Sequence, residues 1–151
     1  MYSREQNTRE HYQAIAHTEL RIAKERVQRS LVPLDGVTDD QAKEIIGTYR
    51  IAVEPNFIPW MYLAEQSALS HIAGEALRKN IKDEIEQDHP KMLRDFAAGC
   101  GVPLQQNHYV RAARPVMDMW NLFYKMDRTG NVGVAALLEN TSSVFIPYLA
   151  A

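Results

Sequence analysis

From Tyr12 to Leu31, apolar side chains recur at Tyr12, Ala16, Leu20, Ala23, Val27 and Leu31. A spacing of three or four places them on one face of an α-helix for about six turns, whereas the alternation of a strand would scatter them across both faces. So long a stripe commits the chain to packing helix on helix. The pattern continues beyond Pro33 and the Leu34-Asp35-Gly36 turn. Thr38 and Gln41 form a capping box, with Asp39 and Asp40 suited to the positive end of the helix that carries Ala42, Ile45, Ile46 and Tyr49. Pro55 removes a backbone donor and predicts a kink or break. After it, Phe57, Ile58, Trp60, Met61, Leu63 and Ala64 are dense enough for burial on more than one side. A weaker stripe, Ala68, Ile72, Ala73 and Leu77, leads without a turn signal into residues 80–96. Gly99-Cys100-Gly101 with Pro103 stops the chain, and a bulky stripe over about residues 104–127 restarts it, bent at Pro115. Residues 127–131 read as a turn before the most apolar helix, Val132 to Ile146. No strand alternation, phosphate loop or internal repeat is present, so the fold class is all-α.

The length of 151 residues fits one domain over 1–151 with a single core. A net charge of -2 with scattered basic residues argues against nucleic acid as a partner. Cys100 is the one cysteine, which excludes an internal disulfide and any multi-cysteine zinc or iron–sulfur site. Its place between two glycines at a helix end suits a structural thiol. The N-terminal residues lack an apolar signal segment, and no uninterrupted apolar run reaches about 18 residues. The expectation is a soluble cytoplasmic protein with no membrane partner.

The stretch richest in chemistry is Asn80 to Phe96. Ile81, Ile85, His89, Leu93 and Phe96 share a helical stripe, and Asp83, Glu84, Glu86 and Asp88 crowd in ahead of the histidine. On an unbroken helix, Glu86 would lie about 60° from His89 and Glu84 about 140° away, so Glu86 would be the neighbour. A Glu-x-x-His pair facing inward is one way helical proteins hold a metal. The blander reading is an acidic surface helix with one half-buried imidazole. His89 precedes Pro90, which disfavours helical backbone at His89 and leaves both carboxylates in play. Glu139 stands alone in the most apolar helix. An isolated buried ion is so costly that this carboxylate must reach solvent, stay protonated or meet a cation. Glu54 beside the Pro55 break is a weaker ligand candidate. His11 and His17 read as packed or solvated rings.

Asn80-Ile-Lys-Asp-Glu84, then His89-Pro-Lys-Met-Leu-Arg-Asp-Phe, then Leu138-Glu139-Asn140-Thr141 resemble the haem-oxygenase-like fold. More narrowly, they are similar to the iron-containing redox enzymes, also called haem-oxygenase-like di-iron oxidases. The Tyr-rich broken helix from Tyr49 to Tyr62 fits the same fold, so the resemblance spans most of the chain. It implies a haem-oxygenase-like bundle of about five to six helices holding non-haem iron, one or two ions, with manganese as a substitute. His89, Glu139 and either Glu84 or Glu86 would be ligands, motif position favouring Glu84 and helix geometry Glu86. The implied activity is oxidation of a small organic substrate with O2, with Trp60, Tyr62, Trp120 and Tyr124 lining an apolar channel. The family completes its second iron site with Asp-x-x-x-His on a final helix, and no such motif follows Glu139 here. That departure leads to the expectation of a chain truncated at its C-terminus. Two other functions remain open. One is haem degradation with His11 or His17 as axial ligand. The other is a non-catalytic binding or assembly module whose open groove is filled by a partner or, as a homodimer, by a second copy.

Overall fold

The computed structural model describes residues 3–151, with side chains from Glu10 onward. Every regular element among the described residues is helical. Helix α1 spans Ser3–Ser30, a short 3-10 turn Leu34–Gly36, α2 Asp39–Val53, α3 Phe57–Ser67 and α4 His71–Glu86. Then come α5 His89–Gly99, α6 Gln106–Lys125 and α7 Arg128–Ala150. The helices fall into two compact units. One holds Pro33–Ala135, and the other holds the residues up to Val32 together with Ala136–Ala151.

In the unit of residues 33–135, local chemistry sets each helix end. The Thr38 hydroxyl accepts from the Gln41 backbone N–H at 3.3 Å, and the Gln41 side-chain oxygen accepts from the Thr38 N–H at 2.9 Å. Two of the unpaired donors at the start of α2 are thereby satisfied. Helix α2 ends ahead of Pro55 and α3 begins just after it, so the proline separates two helices. The expected continuity from Ala68 into residues 80–96 does not hold. Ala68 lies outside the helices, and Ser70 caps a new one by accepting from the Ala73 N–H at 3.5 Å. A second interruption divides Asn80–Phe96. Asp88 adopts a left-handed backbone (φ 49°) and its side chain caps α5 through the Lys91 N–H at 3.2 Å, with Pro90 in the first turn.

Helix α5 ends where Gly101 takes φ 66°. Val102 N–H donates to Ala97 O and Gly101 N–H to Ala98 O, both at 2.9 Å, which is the paired closure that needs a left-handed residue after the cap. Pro115 sits inside α6 without ending it. The turn expected over residues 127–131 is shorter. Asp127 accepts from the Gly130 N–H at 2.6 Å, and Thr129 to Asn131 already belong to α7.

Helix α2 packs on α6 and α3 on α4, with further contacts of α5 against α2 and α4. Met61 and Phe123 are the largest fully buried side chains, joined by Trp60, Ala64, Leu77, Ile81, Ala97 and Ala112. The α2–α6 approach depends on Gly47, where a Cβ would collide with the His108 ring. Ion pairs stitch the edges: Arg78 joins α4 to Glu65 of α3, and Arg94 of α5 meets Glu54 at the end of α2.

The other unit is built differently. It contains α1 and the part of α7 after Ala135, and the Asn140 side-chain amide donates to Leu20 O at 3.0 Å. No described residue in it is buried. Helix α7 has 23 residues and a stretch of mean hydropathy 1.2, long and apolar enough to cross a membrane by length and composition. Glu139 interrupts the run of apolar residues without lowering the average below that level.

Candidate functional site

The helix break at Asp88 creates the most distinctive polar arrangement in the unit of residues 33–135. Because α5 starts afresh after a left-handed residue, helical-wheel arithmetic from α4 no longer applies to His89. The His89 Nδ1 lies 2.7 Å from Glu84 Oε1, and its Nε2 lies 3.0 Å from Gln87 Oε1. Both ring nitrogens face side-chain oxygens. The Glu84 side chain is only 14% exposed, against 38% for His89. Glu86 is turned away, 62% exposed and 3.6 Å from Lys82 one turn earlier on α4. Of the two carboxylates, Glu84 is therefore the neighbour of His89, and the geometric preference for Glu86 fails with the continuous helix it assumed.

Two more groups belong to this neighbourhood. Burial pushes the Tyr49 hydroxyl of α2 up to about 12, and the negative charge of Glu84 pushes in the same direction. Tyr49 therefore holds its proton throughout the neutral range. Asn80 lies one turn before Glu84 on the same face of α4, and its Oδ1 is buried with no hydrogen-bond partner. A buried acceptor left open is uncommon and marks a place where a donor fits.

The remaining candidates stand elsewhere. Glu139 is half-buried on α7 in the other unit, with one carboxylate oxygen shielded from solvent. Glu54 is held by Arg50 at 2.7 Å and Arg94 at 2.8 Å. Burial alone would raise its pKa, but the hydrogen bonds from Arg94 and Arg50 outweigh that and hold the carboxyl below its usual value. Such a carboxylate is committed to guanidinium groups and is a poor ligand. His11 and His17 are exposed on α1, and Cys100 is an exposed free thiol. Of the aromatic wall, Trp60 meets Trp120 edge-on at 6.2 Å and Trp120 stacks on Tyr124 at 6.1 Å. Tyr62 is exposed.

One polar network was not anticipated. Glu44 of α2 is ion-paired with Arg111, Nε to Oε1 2.7 Å, accepts a hydrogen bond from the Asn107 side-chain amide and lies 3.4 Å from His108 Nε2, while His108 Nδ1 accepts from the Gln105 N–H at 3.2 Å. His108 is 3% exposed, and both its nitrogens serve the start of α6 and the α2 contact. Gly47 in the middle of an otherwise well-formed helix was the available signal, since only a close neighbour explains it.

Two ligands in adjacent positions of an octahedral metal, each at about 2.1 Å, stand about 3 Å apart. The 2.7 Å separation of Glu84 and His89 suits such a pair. Among the described residues, however, no three His, Cys, Asp or Glu side chains come together to hold a metal ion. The junction thus offers two donors and does not by itself form a di-iron centre. Comparison with protein-family models, curated proteins and solved structures finds no match to the chain. The haem-oxygenase-like resemblance rests on the sequence motifs alone.

Proposed function

We propose that this chain carries part of the metal site of a non-haem iron oxidase or oxygenase acting on a small organic substrate with O2. The supporting observation is the Glu84–His89 pair, whose donor atoms lie 2.7 Å apart beside a tyrosine that keeps its proton. A carboxylate with an imidazole suits Fe(II) or Mn(II), and such a metal supplies the activation of O2. The chain's own residues contribute position and protons. Glu84 is anchored on α4 and His89 at the first position of α5, so the left-handed Asp88 fixes their separation. Tyr49 offers a phenolic O–H close to the carboxylate, and Asn80 Oδ1 offers an acceptor one turn away.

The test is metal binding by protein prepared under reducing conditions. Fe(II) or Mn(II) is expected to bind the parent chain and the Glu86→Gln variant alike, and to be lost in His89→Ala and Glu84→Gln. A parent protein that takes up neither ion would overturn the proposal. A second reading, a non-catalytic assembly module, is favoured by one observation: in the unit formed by α1 and the end of α7 no described residue is buried.

A further inference from the structure

The connection from α1 into the unit of residues 33–135 runs through Pro33-Leu34-Asp35-Gly36-Val37. Asp35 is the only aspartate or asparagine in the chain that precedes a glycine. In such a pair no Cβ flanks the backbone nitrogen that follows the acid. Little then hinders that nitrogen from reaching the acid's own side-chain carboxyl.

Three features leave this pair open to that approach. Both residues are exposed, and no residue of the 3-10 turn is buried. A Cβ built on Gly36 would meet no atom within 4 Å, so the space on that side of the chain is clear. The turn is closed by backbone bonds from Gly36 N–H to Pro33 O at 3.4 Å and from Val37 N–H to Leu34 O at 3.0 Å, and no side chain caps its start. A short exposed turn opens far more readily than a packed helix. Opening matters, because the carboxyl carbon reaches the Gly36 nitrogen only when Asp35 leaves the helical backbone region. Asp83, Asp95 and Asp118 lie inside α4, α5 and α6, whose successive hydrogen bonds oppose that rotation.

We propose that Asp35–Gly36 is a site of spontaneous backbone isomerisation, which forms isoaspartate at position 35 through a cyclic imide. The Gly36 nitrogen bonds to the Asp35 side-chain carboxyl carbon, and the carboxyl hydroxyl leaves with the amide proton as water. One water then opens the five-membered ring at either carbonyl. Opening at the α-carbonyl leaves the chain running through the side-chain carbon, with a free α-carboxylate; opening at the other restores aspartate. No oxidant or cofactor enters, and the mass is unchanged. The isomerised backbone carries one more methylene, so the ring closed by Val37 N–H and Leu34 O gains an atom and the turn ahead of the Thr38 cap is lost.

The test incubates the full chain in warm neutral buffer until a free peptide of residues 32–38 has half converted. Electron-transfer fragmentation maps the isoaspartate. An isoaspartyl methyltransferase, which moves the methyl of S-adenosylmethionine onto the freed α-carboxylate, counts it. The parent chain is expected to carry isoaspartate at Asp35 and to lack it at Asp83, Asp95 and Asp118. Asp35→Glu should lose the product, since the longer side chain would have to close a six-membered ring. Gly36→Ala, for which the structure has room, should accumulate it severalfold more slowly. Circular dichroism confirms unchanged helix content in both variants. A parent chain still unmodified at Asp35 when the peptide has half converted overturns the proposal. Equal yields at the helical aspartates, or an undiminished total in Asp35→Glu, overturn it as well.

Discussion

Tyr49 concentrates the electrostatics of the candidate site in one hydroxyl. Its pKa is raised because burial and then the charge of Glu84 disfavour the phenolate. An acid whose folded-state value lies above its unfolded value stabilises the fold fully below the unfolded value, near 10, and loses that contribution as pH rises toward about 12. Stability should therefore fall across that window. Tyr49→Phe should flatten the fall, as measured by urea denaturation at a series of pH values, and should remove one late-titrating phenol from the ultraviolet titration. A parent protein whose tyrosines all titrate near 10 would contradict this. At this scale the sequence singled out His89 and two carboxylates, Glu84 and Glu86, with Glu86 slightly ahead on helix geometry. The choice depended on backbone direction at one residue, Asp88, and no side-chain periodicity records a left-handed φ. His108 was invisible for a related reason, because its partner Glu44 lies 64 positions earlier and the contact exists only once α2 and α6 have met.

Helices and their ends were the most legible level. The Thr38–Gln41 capping box, the break at Pro55 and the stop at Gly99-Cys100-Gly101 all arise from local chemistry, and each is present in the structure. Ser70 and Asp127 act by the same rules but lay in stretches read as continuous helix and as a longer turn. A single capping side chain there outweighed the apolar spacing around it. Asp88 is the informative case. Pro90 signalled a break at His89, and the structure makes the turn one residue earlier, with Asp88 both adopting the left-handed backbone and capping α5. Asp88→Ala should lose both roles and cost about 2 kcal/mol, whereas Asp88→Asn, which tolerates that backbone and can still cap, should cost well under 1 kcal/mol. Chemical denaturation of both variants decides this. Equal losses would mean that the negative charge matters more than the cap or the backbone.

The molecule as a whole divides its stability unevenly. The unit of residues 33–135 buries Met61, Phe123 and their neighbours, while α1 and the end of α7 bury none of their described residues. Amide exchange should follow that division. Backbone amides around Ile81, Ala97 and Phe123 should exchange only on global opening, and those of α1 should exchange orders of magnitude faster in dilute protein. Hydrogen-exchange mass spectrometry at low concentration reads both, and uniform protection would contradict the division. The all-α class was legible because helical spacing recurs from Tyr12 to the last helix. The uneven burial was not, since the α1 stripe looks the same whether or not anything covers it. Cys100 gives this large-scale question an experimental handle. It is exposed at the end of α5, beside a left-handed Gly101, and no other thiol competes with it. One maleimide nitroxide would therefore label each chain at one site, and dipolar broadening between two labels would count chains and measure their separation in one spectrum.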